Sequence, residues 1–243
     1  MEKATPGKLG QLTDKFATPF FVIALLVAMI ALPALAADEE KDIETLKNAT
    51  AVFQEMVNRG DIPANVLERA DCVIVLPGVK KVGVGIGGSG GRGPMACRLG
   101  DKFDGKWSAP AMYSIGGASV GLQLGATSSD FVILVTTEKG VHAVLEDKTK
   151  LGTDATAAAG PGATAQSNSV GGADVYTYGR TKGLFAGVSL DGATLHQDQD
   201  ANKRLYGKKT GSREIVRSGD VKPPAGGDEL VSLLNSKVPK HSN

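Results

Sequence analysis

Ile43, Leu46, Thr50, Phe53 and Val57 recur at helical spacing, which predicts an amphipathic helix over Asp42–Arg59 that stops at Gly60. Asp61 is placed to cap a second short helix, with Pro63 in its first turn and Val66, Leu67 and Ala70 facing inward. Beyond Asp71 the pattern changes to that of strands. Cys72–Leu76 is an unbroken apolar run, read as a buried strand stopped by Pro77-Gly78. Val82, Val84 and Ile86 alternate with glycines, as do Val120, Leu122 and Leu124 with Gly121, Gln123 and Gly125. Met95–Leu99 and Trp107–Tyr113 flank an Asp104-Gly105 turn signal and predict a hairpin. Phe131–Val135 reads as a core strand and Glu138–Leu145 as a short helix. Tyr176–Arg180 and Leu184–Leu190 predict a second hairpin, and Gln199–Tyr206 a closing helix. Gly152–Gly172 is low-complexity Ala/Gly/Thr, either a small-residue strand or a loop.

The resulting fold class is α+β: an N-terminal helical pair on a curved, largely antiparallel, glycine-rich sheet, with a short helix after it. Glycine at every second strand position leaves one side of the sheet bare, so backbone or ligand can approach closely there, at an entropic cost to the strand. Tight packing inside a curved sheet is one account of such a face; a binding surface is the other.

Ahead of these elements, Lys3, Lys8 and Lys15 precede an uncharged run, Phe20–Leu32, then Pro33 and Ala34-Leu35-Ala36. This is the order of a secretory signal, with cleavage expected after Ala36. A spanning helix needs about 20 apolar residues, and an uncleaved anchor over Ala17–Ala37 is the rival reading. Residues 37–207 are then the expected domain, and the Pro/Gly/charged composition of 208–243 reads as a flexible tail with one last turn of helix at Glu229–Leu234. Periplasmic or secreted localisation follows from the leader.

The leader takes three basic and two acidic residues from totals of 27 and 26, leaving 24 of each. A near-neutral domain argues against nucleic acid as a partner, because phosphate neutralisation needs a basic surface. Cys72 and Cys97 are the only cysteines. Export permits a disulfide between them, and packing as two buried thiols is equally open. Three scattered histidines offer no metal-ligand spacing.

Several motifs mimic catalytic ones. Gly83–Gly88 satisfies G-x-G-x-x-G, but the glycines and Pro94 that follow cannot sustain the helix a dinucleotide site needs. Ser89 and Ser119 each sit in G-x-S-x-G, and Asp191 and His196 follow Ser119 in hydrolase order. A nucleophile elbow needs a strand-to-helix turn, whereas 120–135 alternates as strand. Asp198-Gln199-Asp200 resembles the start of a calcium loop but has Lys203 where glycine is required, so a helix cap is expected.

Taken together, Val75-Leu76-Pro77-Gly78-Val79-Lys80-Lys81, Gly87–Gly93, Trp107-Ser108-Ala109-Pro110, Gly116–Ala126, Asp130–Leu134, Ala159-Gly160-Pro161-Gly162, Tyr176–Leu190 and Asn202–Gly207 resemble the SYLF family over residues 43–207. SYLF domains are lipid-binding domains of eukaryotic actin- and phosphoinositide-associated proteins, and they are also widespread in bacteria. Because a leader stands first, the resemblance is to the exported bacterial branch. It implies binding of acidic membrane lipids with no catalytic residue and no cofactor. The basic residues beside the glycine-rich turns, Lys80, Lys81, Arg92, Arg180 and Lys182, are the expected lipid contacts, assisted by Lys203 and Arg204. Pairing of Arg92 and Arg180 with acids such as Asp130 or Asp191 is the competing account. Two other functions stay open. One is an envelope assembly protein that packs its glycine strands on a protein partner or a second copy. The other is a serine hydrolase built on Ser119.

Overall fold

A single β-ribbon dominates the fold, and it is far longer than a globular domain can hold straight. The structure, a computed structural model, describes residues 17–155, 157–159, 173–181, 184–186, 190, 192–208 and 210–238, with only the backbone given for 17–36, 83–86, 118–125, 157–159 and 184–186. Strand β1 runs Cys72–Cys97 and strand β2 Ala111–Val135, paired antiparallel from Cys72↔Val135 to Met95↔Ala111. A straight strand of 26 residues would extend roughly 85 Å at about 3.3 Å per residue. The ribbon instead doubles back. The first and last residues of β1 lie 4.0 Å apart at Cα, and the Arg98 N–H donates to the Asp71 carbonyl at 2.8 Å.

Pro77-Gly78 therefore does not end a strand, as the sequence pattern predicts; it forms a β-bulge within one. Register shifts between Leu76 and Val79, so two residues of β1 oppose Asp130. Gly78 takes φ +61, which glycine adopts without a Cβ clash, and its N–H donates to Asp130 Oδ1 at 2.8 Å. The missing proline donor falls at the bulge, where the ladder is already interrupted.

The remaining strands extend the ribbon on both sides: β3 Lys148–Lys150, β4 Ala157–Ala159, β5 Val175–Thr181, β6 Leu184–Ala186 and β7 Thr194–Gln197. Among the described residues the sheet has seven strands in the order β3-β7-β2-β5-β4, with β1 on β2 and β6 on β5. Every pairing is antiparallel except β4 with β5. The second hairpin expected from sequence is β5–β6. In the low-complexity segment, Ala157–Ala159 is strand, and residues 160–172, expected as strand or loop, lie outside the described residues.

Doubling back gives the sheet two apolar faces. Inside the curl, Cys72, Ile74 and Leu76 meet Met95, Cys97, Tyr113, Ile115, Phe131 and Ile133, the alternate positions of each strand. Outside it, Val73, Val75, Val132, Leu134 and Tyr178 are covered by helices. Helix α1 (Ala17–Asn58) contributes Ala49, Phe53 and Met56, and α2 (Ala64–Leu67) contributes Leu67. The chain divides into two compact units, residues 1–40 and 41–243; the packing described belongs to the second. The expected leader lies in the first. Among the described residues no helix is long and apolar enough to cross a membrane.

Two local expectations change. Pro63, not Asp61, is the N-cap of α2, and Asp61 lies 3.9 Å from Arg59. The larger correction concerns 208–243, expected as a flexible tail. After α3 (Glu138–Val144) and α4 (Gln199–Tyr206), the chain forms α5 (Ser212–Arg217) and α6 (Gly227–Lys237). Ile215 and Val216 enter the inner core, and Leu230, Leu234 and Val238 the outer one. Apolar pairs spaced four residues apart (Leu230, Leu234) have a sheet face to cover, which outweighs the polar composition around them.

Candidate functional site

Local chemistry decides where the basic residues go. Cys72 and Cys97 are bridged and wholly buried, which pins the two ends of β1 together. Beside that closure, Arg98 is 1 % exposed. It donates to the carbonyls of Ala70, Gly105 and Val238 and lies 4.7 Å over the Trp107 ring. Desolvation lowers its pKa, opposed by the charge of Asp71. This arginine ties the β1–β2 loop to the end of α6.

Of the seven candidate lipid contacts, Lys80 and Lys203 are exposed and Lys81 is half-buried; Lys182 lies outside the described residues. The three arginines are paired with acids. Arg180, 7 % exposed, donates from Nη2 to Glu55 Oε2 at 2.7 Å, with Nη1 2.5 Å from the other Glu55 oxygen, and lies 3.7 Å from Asp130. The hydrogen bond from Arg180 holds the Glu55 carboxyl below the usual glutamate range, and the same bond raises the Arg180 pKa. Arg92 contacts Asp42 and sits 4.0 Å from Asp198. Arg204 donates to the other Asp42 oxygen at 2.7 Å. The structure thus brings Arg92 and Arg204 together through Asp42 and places Arg180 separately, between α1 and the bulge.

Asp42 and Glu55 are the functional residues that the sequence reading missed. Asp42 had a signal. It falls four residues before Leu46 on the stripe that continues through Ala49, Phe53 and Met56, all wholly buried, and it is itself 0 % exposed. A carboxylate on a core stripe needs a cation, because an unpaired buried charge is far too costly.

Between these two ion-pair clusters lies a groove of about 420 Å³. One wall is the α1 face bearing Thr45, Asn48, Ala51 and Glu55, and the other is the bulge, with Gly78, Arg92 and Asp130.

The catalytic look-alikes are strand residues. Gly83–Gly88 lies within β1. Ser89 is in the ribbon opposite Gly117, whose carbonyl accepts from its hydroxyl at 3.4 Å. Ser119 is inside β2, not at a strand-to-helix turn, and His196 pairs with Ser114, five residues away along that strand; Asp191 lies outside the described residues. Asp198 caps α4, accepting from the Ala201 N–H.

Comparison with known proteins agrees with this frame. The family described as "Ysc84: Las17-binding protein actin regulator" matches residues 116–237, a span that includes α5 and α6. An SH3 domain-containing protein of Schizosaccharomyces pombe is 39% identical over 183 residues, 73% of this chain and 41% of its own. Protein YSC84 of Saccharomyces cerevisiae is 37% identical over 183 residues, 73% of this chain and 38% of its own. The human SH3 domain-containing YSC84-like protein 1 is 32% identical over 213 residues, 86% of this chain and 61% of its own. The chain thus spans between two fifths and three fifths of these relatives. By sequence, the chain belongs to the SYLF, or Ysc84, family.

Proposed function

We propose that the chain is an exported, non-enzymatic module that docks on anionic membrane lipids through Lys80 and Lys81. The observation that carries this reading is Val82, the one large hydrophobic residue among the described residues that stands exposed, at 56%. It directly follows the two lysines. Neither Val79–Gly93 nor Ser114–Ser129 contains an acidic residue, so these two stretches of the ribbon are basic and apolar in composition. A lysine near an anionic membrane contributes about 1 kcal/mol, which makes the attachment reversible. Arg92, Arg180 and Arg204 are secondary in this reading, since carboxylates already hold them; Lys203 is a peripheral contact. Export rests on the leader pattern, and N-terminal sequencing of protein recovered from cells tests it by whether the chain starts at Ala37.

Flotation of the purified chain with neutral or anionic vesicles tests the lipid reading. Binding to anionic vesicles is expected, and it should fade as salt shortens the Debye length from about 10 Å at 0.1 M. The double variant Lys80→Glu/Lys81→Glu should lose it; undiminished binding by the folded variant would rule this surface out.

Assembly on a protein partner is the second reading. At Gly88 and Gly90 an added Cβ would meet only a strand carbonyl, at 3.9 Å, so a partner can come close there, and one yeast relative is named LAS seventeen-binding protein 3. A stable oligomer in light scattering, without lipid, favours it.

A further inference from the structure

Strand β2 pairs with β7 as far as Gly116 and with β5 from Ser129 onward. Across residues 117–128 its partner among the described residues is β1 alone. Three consecutive residues of that stretch, Ala126, Thr127 and Ser128, are exposed. Successive strand residues face opposite sides, so both sides of the ribbon are open to water here. Their partners on β1 are Val82, 56% exposed, half-buried Lys81 and exposed Lys80. Where the ribbon returns, Gly88 and Gly90 are exposed as well. The bend between these borders is a two-stranded tongue.

Its sequence is that of an amphipathic ribbon. Val82, Val84 and Ile86 alternate with glycine, and Val120, Leu122 and Leu124 alternate with Gly121, Gln123 and Gly125. The register pairs Val82 with Ala126, Val84 with Leu124 and Ile86 with Val120. The aliphatic positions of the two strands therefore share one face, and the glycine positions the other. Between the last two pairs the register shifts, leaving Gly121–Gln123 opposite Gly85 alone, an irregularity that bends the ribbon. No charged residue interrupts Val82–Gly91 or Ser114–Ser129.

A two-stranded ribbon is too thin to bury such a face by itself, and a contiguous apolar surface left in water marks a contact site. We propose that the tongue lies in the surface of an anionic bilayer, its aliphatic face against the upper acyl chains. The inference rests on the anionic-surface reading and adds how the chain is held: Lys80 and Lys81, at the entry of the tongue, meet the phosphates, and Val82 begins the apolar contact. Backbone limits the depth. The unpaired edges of a two-stranded ribbon cannot enter the hydrocarbon core, so the tongue lies flat at the head-group boundary. A second copy is a poorer occupant, because stacking two aliphatic faces would bring two Lys80-Lys81 pairs together, and like charges across an interface are costly.

The test is the tryptophan fluorescence of Val82→Trp, in the chain as recovered from cells, with vesicles of phosphatidylglycerol and phosphatidylcholine. Native Trp107 is 3% exposed and supplies a constant background. A blue shift is expected on these vesicles, quenched more by bromine near the glycerol end of the acyl chain than by bromine near its methyl end. Glu229→Trp, at an exposed position of α6, should show neither effect. Because an indole itself favours the interface, the second variant is Val82→Asn. It should bind the vesicles about tenfold more weakly than wild type, roughly the loss of one partly buried valine, with the melting temperature held. If wild type floats on anionic vesicles while the new indole stays unshifted, or Val82→Asn binds as tightly as wild type, the tongue is overturned and the lysine reading stands. If wild type does not float at all, both fall. A blue shift that grows with protein concentration in the absence of vesicles assigns the face to a second copy and overturns the proposal.

Discussion

The carbonyl oxygen of Val75 lies against Gly93, so close that no Cβ fits between them, and Pro77 Cδ is 3.0 Å from where that Cβ would stand. This contact is where the ribbon crosses itself, and it explains a glycine that is neither in a turn nor at positive φ. Gly93→Ala should destabilise the fold by about 3 kcal/mol or more, beyond the usual cost of overpacking because backbone, not a flexible side chain, must move. Gly90→Ala is the matched control: its Cβ would find the nearest atom at 3.9 Å. Urea titration of both variants checks the contrast; equal midpoints would mean the crossing is looser than described.

The Cys72–Cys97 bridge closes the same crossing over a separation of 25 residues. In the chain-entropy account such a loop contributes about 3.5 kcal/mol through the unfolded state. A Cys72→Ala/Cys97→Ala variant should lose about that much, seen as a lower denaturation midpoint. Thiol titration of the unfolded, unreduced wild-type protein should find no free thiol.

Glu55 gives the fold an acid limit. Its carboxyl titrates lower in the folded chain than in the unfolded one, chiefly because Arg180 donates to it. That contribution is complete above the unfolded value of about 4.3 and is lost as pH falls through the lower folded value. Glu55→Gln should therefore be less stable than wild type at neutral pH, and the gap between them should narrow as pH drops below about 4.3. Melting temperatures from pH 7 to pH 3 measure this, and a gap independent of pH would remove Glu55 from the acid response.

Cutting the chain after Gly207 should leave it unfolded. Ile215, Val216, Leu230, Leu234 and Val238 are each at most 2% exposed, and burying one such side chain is worth about 1.5–3 kcal/mol. Their sum rivals the 5–15 kcal/mol net stability typical of a whole domain, roughly stated. Removal also takes the Val238 carbonyl from buried Arg98. Near-UV circular dichroism of the 1–207 fragment should show no fixed aromatic environment; a native-like spectrum would restore the tail interpretation.

Local patterns on the chain were sufficient for much of this. The α1 stripe, the alternating strands, the Thr137–Gly140 start of α3 and the stop of α4 at Gly207, with φ +68, are encoded within a few residues of where they act. Such elements depend on side-chain period and on glycine's freedom at positive φ, both readable without neighbours. The basic candidates were legible as residue types but not as roles. Pairing with Asp130 is one of the accounts open for Arg180, but Asp42 and Glu55 are not foreseen, because the carboxylates that hold Arg92, Arg180 and Arg204 lie 50 to 162 residues away in sequence.

By itself, then, the sequence determined the first two helices, the long strands, α3, α4 and the family, because periodicity and motif order are local. Only the tertiary structure decided that Pro77-Gly78 bends one strand rather than separating two, that Cys72 meets Cys97, and that residues 208–238 cover the core. Each of those outcomes is a contact between distant segments. A doubled ribbon exposes an apolar outer face, and that face, which no single stretch of chain reveals, makes α6 part of the core and holds α1, which carries Asp42 and Glu55 to their arginines.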